Sequence, residues 1–104
     1  MINAEFFKAD GAVTGFKVSG HSGMADEGQD VLCAFVSSAV LMTANTVTEV
    51  YGVNADIKES DGFLEFHVLQ SAEKVQGVLE GLLLHLTELS KDYPQNIDVK
   101  ITEV

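Results

Sequence analysis

A long stretch without charged side chains, residues 31–48, constrains the fold of this chain more than any other feature of its sequence. Such a stretch is either a membrane span or a helix covered by the rest of a folded domain. A spanning helix needs about 20 predominantly apolar residues. Six positions of the stretch are instead polar, namely Ser37, Ser38, Thr43, Asn45, Thr46 and Thr48. We therefore predict a buried helix and no membrane segment.

Capping signals mark both ends of this helix. Asp30 is a favourable N-cap residue, because its carboxylate can accept hydrogen bonds from the free N–H groups of the first turn. Gly52 stands where a glycine commonly follows the last turn of a helix. The helix is therefore expected to run from residue 31 to about Tyr51.

A second helix is predicted in the C-terminal half, where apolar residues recur with a helical period. These residues are Val75, Val78, Leu79, Leu82, Leu83, Leu86 and Leu89. Ser71 is expected to cap the N-terminus of this helix, and Tyr93-Pro94 is expected to end it, because proline cannot continue a helix.

Five short segments have the composition of β-strands. They are residues 2–9, 12–18, 54–59, 63–69 and 96–102. Asp10-Gly11 separates the first two strands and Asp61-Gly62 the next two, and Asp-Gly favours the tight turn of a hairpin. The element order is therefore ββαββαβ. We predict a single α+β domain over residues 1–104, in which two helices pack as one layer on a mainly antiparallel five-stranded sheet.

The charge balance excludes several classes of partner. The chain has 16 acidic and 6 basic residues and a formal net charge of −10. Binding to nucleic acid or to anionic lipid requires a surface rich in Lys and Arg. We therefore expect no direct nucleic-acid partner and no membrane partner. A basic protein partner is compatible with this charge.

Cysteine usage and the N-terminus indicate the compartment. Cys33 is the single cysteine, which excludes an intrachain disulfide and fits a reducing environment. Residues 1–5 lack the basic region and the apolar run of a signal peptide. We therefore expect a cytoplasmic protein.

The first helix has more apolar surface than one sheet can cover. Leu32, Val36 and Val40 belong to one stripe, whereas Phe35 and Met42 extend the apolar surface beyond it. Either loops of the same chain or a second copy of the protein must cover the surplus. We expect a homodimer, because large exposed apolar patches commonly mark interfaces and small oligomers are usually two-fold.

The segment from residue 20 to residue 33 is the most informative one for chemistry. If Asp30 caps the helix, Cys33 lies in the first turn, where free N–H groups and the helix dipole favour a thiolate. The Asp30 carboxylate opposes this effect if it faces the sulfur. His21 lies on the preceding loop, whose glycines allow the chain to fold back until the imidazole meets the thiol. These residues can therefore form a thiolate–imidazolium pair.

Such a pair supports acyl transfer without a metal. Cys33 would attack a carbonyl carbon, His21 would protonate the leaving amine and then activate water, and N–H groups at the helix start would bind the oxyanion. Asp30 would orient His21, cap the helix, or do both. We expect no metal or other cofactor, because His21, Asp26 and Cys33 lack a closed zinc pattern. Spacing alone also allows an inert, buried Cys33 beside a solvated His21.

Other residues of this region are candidates for supporting roles. Ser37 lies one helical turn after Cys33 on the same face. Its hydroxyl either bonds to Cys33 or substrate, or donates back to the carbonyl four residues earlier. In the loop, Gly23 and Gly28 allow the chain to double back, and Met24 either contacts an apolar substrate residue or covers the site.

The whole pattern resembles the signature of Prp, the bacterial ribosomal-processing cysteine protease family. The step of twelve residues from the histidine to the cysteine is part of the match. The matching positions are Gly20, His21, Gly28, Asp30, Cys33, Ala34 and Ser37. Length, element order and acidic character match along essentially the whole chain. The resemblance implies that His21 and Cys33 are the catalytic pair and that Gly20, Asp30 and Ser37 support them.

The resemblance also implies a homodimer and a substrate. The substrate is a basic ribosomal protein precursor, the twenty-seventh protein of the large subunit, from which the family removes an N-terminal extension after a short apolar segment containing Phe. Two alternatives remain open at this point. One is a non-catalytic ribosome-assembly or protein-binding module with a structural Cys33, and the other is a redox sensor that bridges two copies through Cys33.

Overall fold

The computed structural model describes residues 1–21, 23 and 30–104. Two helices pack on a five-stranded mixed sheet, which confirms the predicted α+β class and element order. The strands are β1 (Ile2–Ala9), β2 (Ala12–Gly20), β3 (Ala55–Ser60), β4 (Phe63–Val68) and β5 (Ile97–Glu103). The helices are α1 (Val31–Asn45) and α2 (Gln76–Asp92).

The strand order in the sheet is β3-β4-β2-β1-β5. The three pairs β1–β2, β2–β4 and β3–β4 are antiparallel, whereas β1 and β5 are parallel, with Ile2 beside Ile97. The strand β2 therefore lies between β1 and β4. At its C-terminal end, Gly20 is flanked by the start of β1 on one side and by the turn between β3 and β4 on the other.

A β-bulge interrupts the pairing of β1 with β2 in the first hairpin. Phe7 pairs with Gly15 and Lys8 pairs with Val13, so Thr14 is an extra residue in β2. The Thr14 hydroxyl donates a hydrogen bond to the carbonyl of Phe7 at 3.3 Å. Because of this bulge, Val13 and Phe16 both face the core. Strict alternation along the predicted strand 12–18 would place Val13 and Phe16 on opposite faces, and the β-bulge instead reverses the phase of the side chains between them.

The core lies between the sheet and the two helices. Three aromatic rings of neighbouring strands form its centre, with the centroids of Phe6 and Phe16 5.9 Å apart and those of Phe16 and Phe66 5.0 Å apart. Both helices contribute Leu and Val side chains to the same core, the buried ones being Leu32, Val36, Val40, Leu79, Leu82, Leu83 and Leu86. Burying each such side chain contributes about 1.5–3 kcal/mol to the free energy of folding.

The apolar helix is part of this core. By length and composition the segment Val31–Val50 could cross a membrane, a property that the core helices of folded domains share. One face of the helix, with Leu32, Val36 and Val40, is buried against the sheet. A π-helical turn, Thr46–Val50, continues α1, and Gly52 follows with a φ of 66°, as the sequence predicted.

The start of α2 differs from the prediction. Ser71 has a φ of 55° and its side chain forms no capping hydrogen bond, so the predicted N-cap is wrong. An N-cap residue needs extended backbone, which a left-handed residue does not have. A 3-10 turn, Ala72–Val75, precedes α2 instead, and the Gln76 side chain bonds to both the N–H and the carbonyl of Val13, at 2.8 and 2.7 Å. These two hydrogen bonds tie the first turn of α2 to β2.

Candidate active site

The thiol of Cys33 lies where the sequence predicted it, in the first turn of α1. Asp30 is the N-cap residue, and its side chain accepts a hydrogen bond from the N–H of Cys33 at 3.0 Å. The Asp30 residue is 9% exposed, whereas Cys33 is partly exposed. The cap therefore fixes the start of the helix below the surface and leaves the cysteine side chain at the surface.

A surface cavity of about 180 Å³ opens beside Cys33. Its walls come from α1, from the start of β1, from the end of β2 and from the hairpin formed by β3 and β4. Ile2, Val18, Phe63 and Leu64 give it an apolar lining, and Glu59 adds one carboxylate. A cavity of this kind suits an extended apolar segment of a polypeptide, with the thiol of Cys33 at its wall.

Gly20 is required by the packing around the end of β2. Its φ is 92°, and a Cβ atom at this position would lie 2.3 Å from the carbonyl oxygen of Met1. The N–H of Gly20 donates to the carbonyl of Gly62 at 2.9 Å. The strand is thus held from both sides at the residue before His21, which fixes the point from which the histidine side chain extends.

The imidazole of His21 lies against the turn between β3 and β4. A Cβ atom on Gly62 would be 3.0 Å from Nε2 of His21 and 3.4 Å from Cε1. His21 is exposed. Among the residues that the structure describes, no hydrogen bond joins the His21 imidazole to the Cys33 thiol.

The predicted supporting residues divide into three groups. Gly20 and Ser37 line the same cavity as Cys33. Gly23 is exposed with a φ of 77°, and none of the described residues lies within 4 Å of the position of a Cβ atom. Met24 and Gly28, the other two predicted loop residues, lie outside the described residues. Within the described part of the chain, no group of three or more His, Cys, Asp or Glu side chains could hold a metal ion.

The hydroxyl of Ser37 differs from the other hydroxyls of the apolar helix. Thr43, Thr46 and Thr48 each donate to the carbonyl four residues earlier, at distances of 2.9, 2.6 and 3.1 Å. For Ser37 the described part of the structure contains no such back-bond and no other hydrogen bond of the hydroxyl. Ser37 is exposed at the cavity, so its hydroxyl is available to a molecule bound there.

Sequence reasoning missed the contribution of the second hairpin to the site. The sequence predicts a turn at Asp61-Gly62 and indicates no role for it in the chemistry. The pairing of Ser19 with Phe63 places the next position, Gly62, beside Gly20 and under the ring of His21. The pairing of β2 with β4 is the signal that would have revealed this contact, and it depends on the strand order.

Comparison with known proteins assigns the chain to a family. A sequence model described as cysteine protease Prp matches residues 1–98. The chain belongs to the Prp family of cysteine proteases. The ribosomal processing cysteine protease Prp of Bacillus subtilis is 31% identical over 97 residues, which cover 86% of this chain and 87% of that protein. The Prp of Staphylococcus aureus is 25% identical over 91 residues, covering 85% and 86%. The chain is therefore a cysteine protease.

Solved structures confirm the Prp fold. The essential ribosomal processing protease Prp of S. aureus, in complex with a covalently linked product peptide, superposes with a TM-score of 0.91 and 24% identity, covering 98% of this chain and 100% of that one. A Streptococcus mutans protein superposes with a TM-score of 0.82 and 28% identity, covering 100% and 96%. The two-layer arrangement of helices and mixed sheet is thus shared with the Prp structures.

Proposed function

We propose that this protease removes the N-terminal extension of the twenty-seventh protein of the large ribosomal subunit, with Cys33 as the nucleophile. The observation that carries the proposal is the position of Cys33, the single cysteine of a cysteine protease, at the wall of an apolar surface cavity. The name of the B. subtilis relative, a ribosomal processing protease, supports this class of substrate.

The proposed mechanism uses two side chains and the helix start. Cys33 attacks the carbonyl carbon of the scissile bond, and His21 protonates the leaving amine and then activates the water that releases the acyl group. The side chain of Asp30 accepts the N–H of Cys33. The N–H groups that precede Cys33 in the first turn have no partner inside the helix, and we assign them to the oxyanion.

His21 must approach Cys33 for this chemistry. A general base acts within hydrogen-bond reach of the proton it takes, and such contacts often tighten only when substrate is bound. His21 directly follows Gly20, and Gly20 and Cys33 line the same cavity. A peptide that fills the cavity therefore lies beside both residues, and we propose that its binding completes the pair.

The cavity fits the segment on the acyl side of the cleaved bond. Its lining residues Ile2, Val18, Phe63 and Leu64 present apolar surface next to Cys33. The family resemblance implies cleavage after a short apolar segment that contains Phe. Transfer of such side chains from water into the cavity supplies binding free energy in proportion to the apolar area removed from water.

The direct test uses the precursor of that ribosomal protein from the same organism. The purified protease is incubated with the precursor, and the intact mass of the product is measured. We expect loss of the extension with the wild-type protein, and an unchanged precursor mass with the Cys33→Ala and His21→Ala variants. Thermal unfolding shows that each variant is folded. A folded wild-type protease that leaves the precursor intact overturns the proposed substrate.

We also propose that the protease is a homodimer that works in the cytoplasm. Val31, Phe35 and Met42 are 60%, 50% and 67% exposed on the outer face of α1. No charged residue lies between positions 31 and 48 of a chain whose net charge is −10. Two copies can therefore approach at this face without the repulsion that acts between their other surfaces. The single free cysteine supports a reducing compartment.

A further inference from the structure

The turn between β3 and β4 packs against the histidine of the proposed catalytic pair. The last hydrogen bond between β2 and this turn joins the N–H of Gly20 to the carbonyl of Gly62, at 2.9 Å. His21 is the next residue after this hydrogen bond. The backbone of the turn therefore determines where the side chain of His21 leaves the sheet.

The ring of His21 occupies the space that a side chain at position 62 would need. A Cβ atom on Gly62 would lie 3.0 Å from Nε2, 3.4 Å from Cε1 and 3.8 Å from Cδ2. The first distance is tighter than nine in ten contacts of real Cβ atoms, so the imidazole would have to move by a few tenths of an ångström. The φ of Gly62 is 69°, a backbone conformation that L side chains rarely adopt.

We propose that Gly62 is a positioning residue for His21. Its bare Cα leaves the space in which the imidazole lies, and its carbonyl holds the preceding residue, Gly20. The proposal rests on the proposed role of His21 as the general base. The contact with Gly62 defines the position from which His21 moves to meet Cys33 when substrate binds. Because displacement of a reacting group by about 1 Å can reduce a rate by about 10²-fold, a shift of a few tenths of an ångström in this position should slow the chemical step several-fold.

The first hairpin supplies a matched control. Gly11 also follows an aspartate in a two-residue turn and has a φ of 81°, but no atom of the described residues lies within 4 Å of the position of its Cβ atom. The Gly11→Ala variant therefore has the same kind of backbone strain as Gly62→Ala without a contact to His21. Asparagine tolerates the left-handed region better than alanine. The pair Gly62→Asn and Gly11→Asn repeats the comparison if the alanine variants fold poorly.

The first measurement follows the imidazole directly. The chain has three histidines, His21, His67 and His85, whose Cε1–H resonances can be assigned by single substitutions. We expect Gly62→Ala to shift the resonance of His21 and to leave those of the other two in place. Gly11→Ala should leave all three resonances unchanged. An unshifted His21 resonance in Gly62→Ala would show that the ring does not lie on Gly62.

The second measurement is the single-turnover rate of precursor cleavage, followed as a function of pH. We expect Gly62→Ala to reduce this rate by about threefold or more relative to Gly11→Ala, with a changed pH profile.

The outcomes separate the two proposals. If Gly62→Ala is no slower than Gly11→Ala, or is slower while the resonance of His21 stays in place, Gly62 does not act through His21 and the inference is overturned. If His21→Ala itself cleaves at the wild-type rate, the proposed mechanism fails instead, whatever Gly62→Ala does.

Discussion

The rings of Phe7 and His67 stack across an intervening strand, with their centroids 5.1 Å apart. Phe7 belongs to β1 and His67 to β4, and Gly15 of β2 pairs with both of them. The missing side chain of Gly15 leaves the space that the two rings need to meet. His67 also bonds to the Glu65 carboxylate at 2.8 Å, and this hydrogen bond lowers the pKa of Glu65.

We expect Gly15→Ala to destabilise the protein by about 1–3 kcal/mol, the range for overpacking a closely filled site. A Cβ atom at this position would lie 2.4 Å from the carbonyl oxygen of Phe66 and 2.8 Å from Nδ1 of His67. Urea unfolding measures the change. The control is Gly81→Ala in α2, where nothing lies within 4 Å and alanine should stabilise the helix by up to about 1 kcal/mol. A neutral Gly15→Ala would show that the strands can separate to admit a methyl group.

The free hydroxyl of Ser37 should contribute to cleavage and not to stability. We expect Ser37→Ala to lower kcat/KM by roughly three- to tenfold, the equivalent of one hydrogen bond of about 0.5–1.5 kcal/mol. The midpoint of thermal unfolding should stay unchanged, because the described part of the structure gives this hydroxyl no protein partner. Ser38→Ala, an exposed neighbour outside the cavity, is the control. Equal kinetics for the two variants would limit Ser37 to lining the cavity.

The cap of α1 should contribute to stability through its hydrogen bond to Cys33. We expect Asp30→Ala to lower the free energy of unfolding by about 0.5–2 kcal/mol, measured by chemical denaturation, because the N–H of Cys33 loses its acceptor. Asp30→Asn keeps a capping oxygen without the charge and should retain most of the stability. Comparison of the cleavage rates of the two variants then separates the effect of the cap from the effect of the carboxylate charge on the thiol.

The acidity of the protease should accelerate its encounter with a basic precursor. We expect kcat/KM to fall by about tenfold as the ionic strength rises from about 0.01 M to about 0.15 M, since the Debye length falls from about 30 Å to about 8 Å. The net charge of −10 is the source of the attraction. A precursor peptide with its basic residues replaced by glutamine should show no such fall. If both substrates respond equally, steering by charge is not the cause.

The apolar face of α1 should be the dimer interface. We expect Phe35→Glu to convert the dimer into a monomer, as measured by sedimentation at micromolar concentration, because the new carboxylates would face each other in a buried contact. Ile101→Glu on β5 is the matched control, since Ile101 and Phe35 are both 50% exposed. A wild-type protein that sediments as a monomer, or a dimer that survives Phe35→Glu, would exclude this face.

The sequence predicted the elements of the fold better than their arrangement. Asp30, Gly52 and the two Asp-Gly turns carry strong local signals, and each lies where its signal predicted. The predicted cap at Ser71 is wrong, because the start of α2 depends on a hydrogen bond between Gln76 and Val13. These two residues are 63 positions apart in the chain. A local capping rule does not contain such a contact.

The candidate site was predictable as a set of residues but not as a geometry. The sequence places Cys33 in the first turn of α1, because Asp30, three residues earlier, is recognisable as the N-cap. Its neighbours Gly20 and Gly62 meet only because β2 pairs with β4, and the strand order is not readable from local patterns. The sequence predicts His21 and Cys33 as members of the site, and the strand pairing adds Gly62 to them.

The parallel pairing of β1 with β5 has a consequence for the order in which the sheet is completed during synthesis. The strand β5 follows every other element in the chain, yet it forms hydrogen bonds along β1, the strand that starts the chain and provides Ile2 to the cavity. During synthesis on a ribosome, β1 therefore remains an open edge until the C-terminal residues have emerged. Ile2, which lines the cavity, therefore gains its strand neighbour Ile97 only after every other strand and both helices have been synthesised.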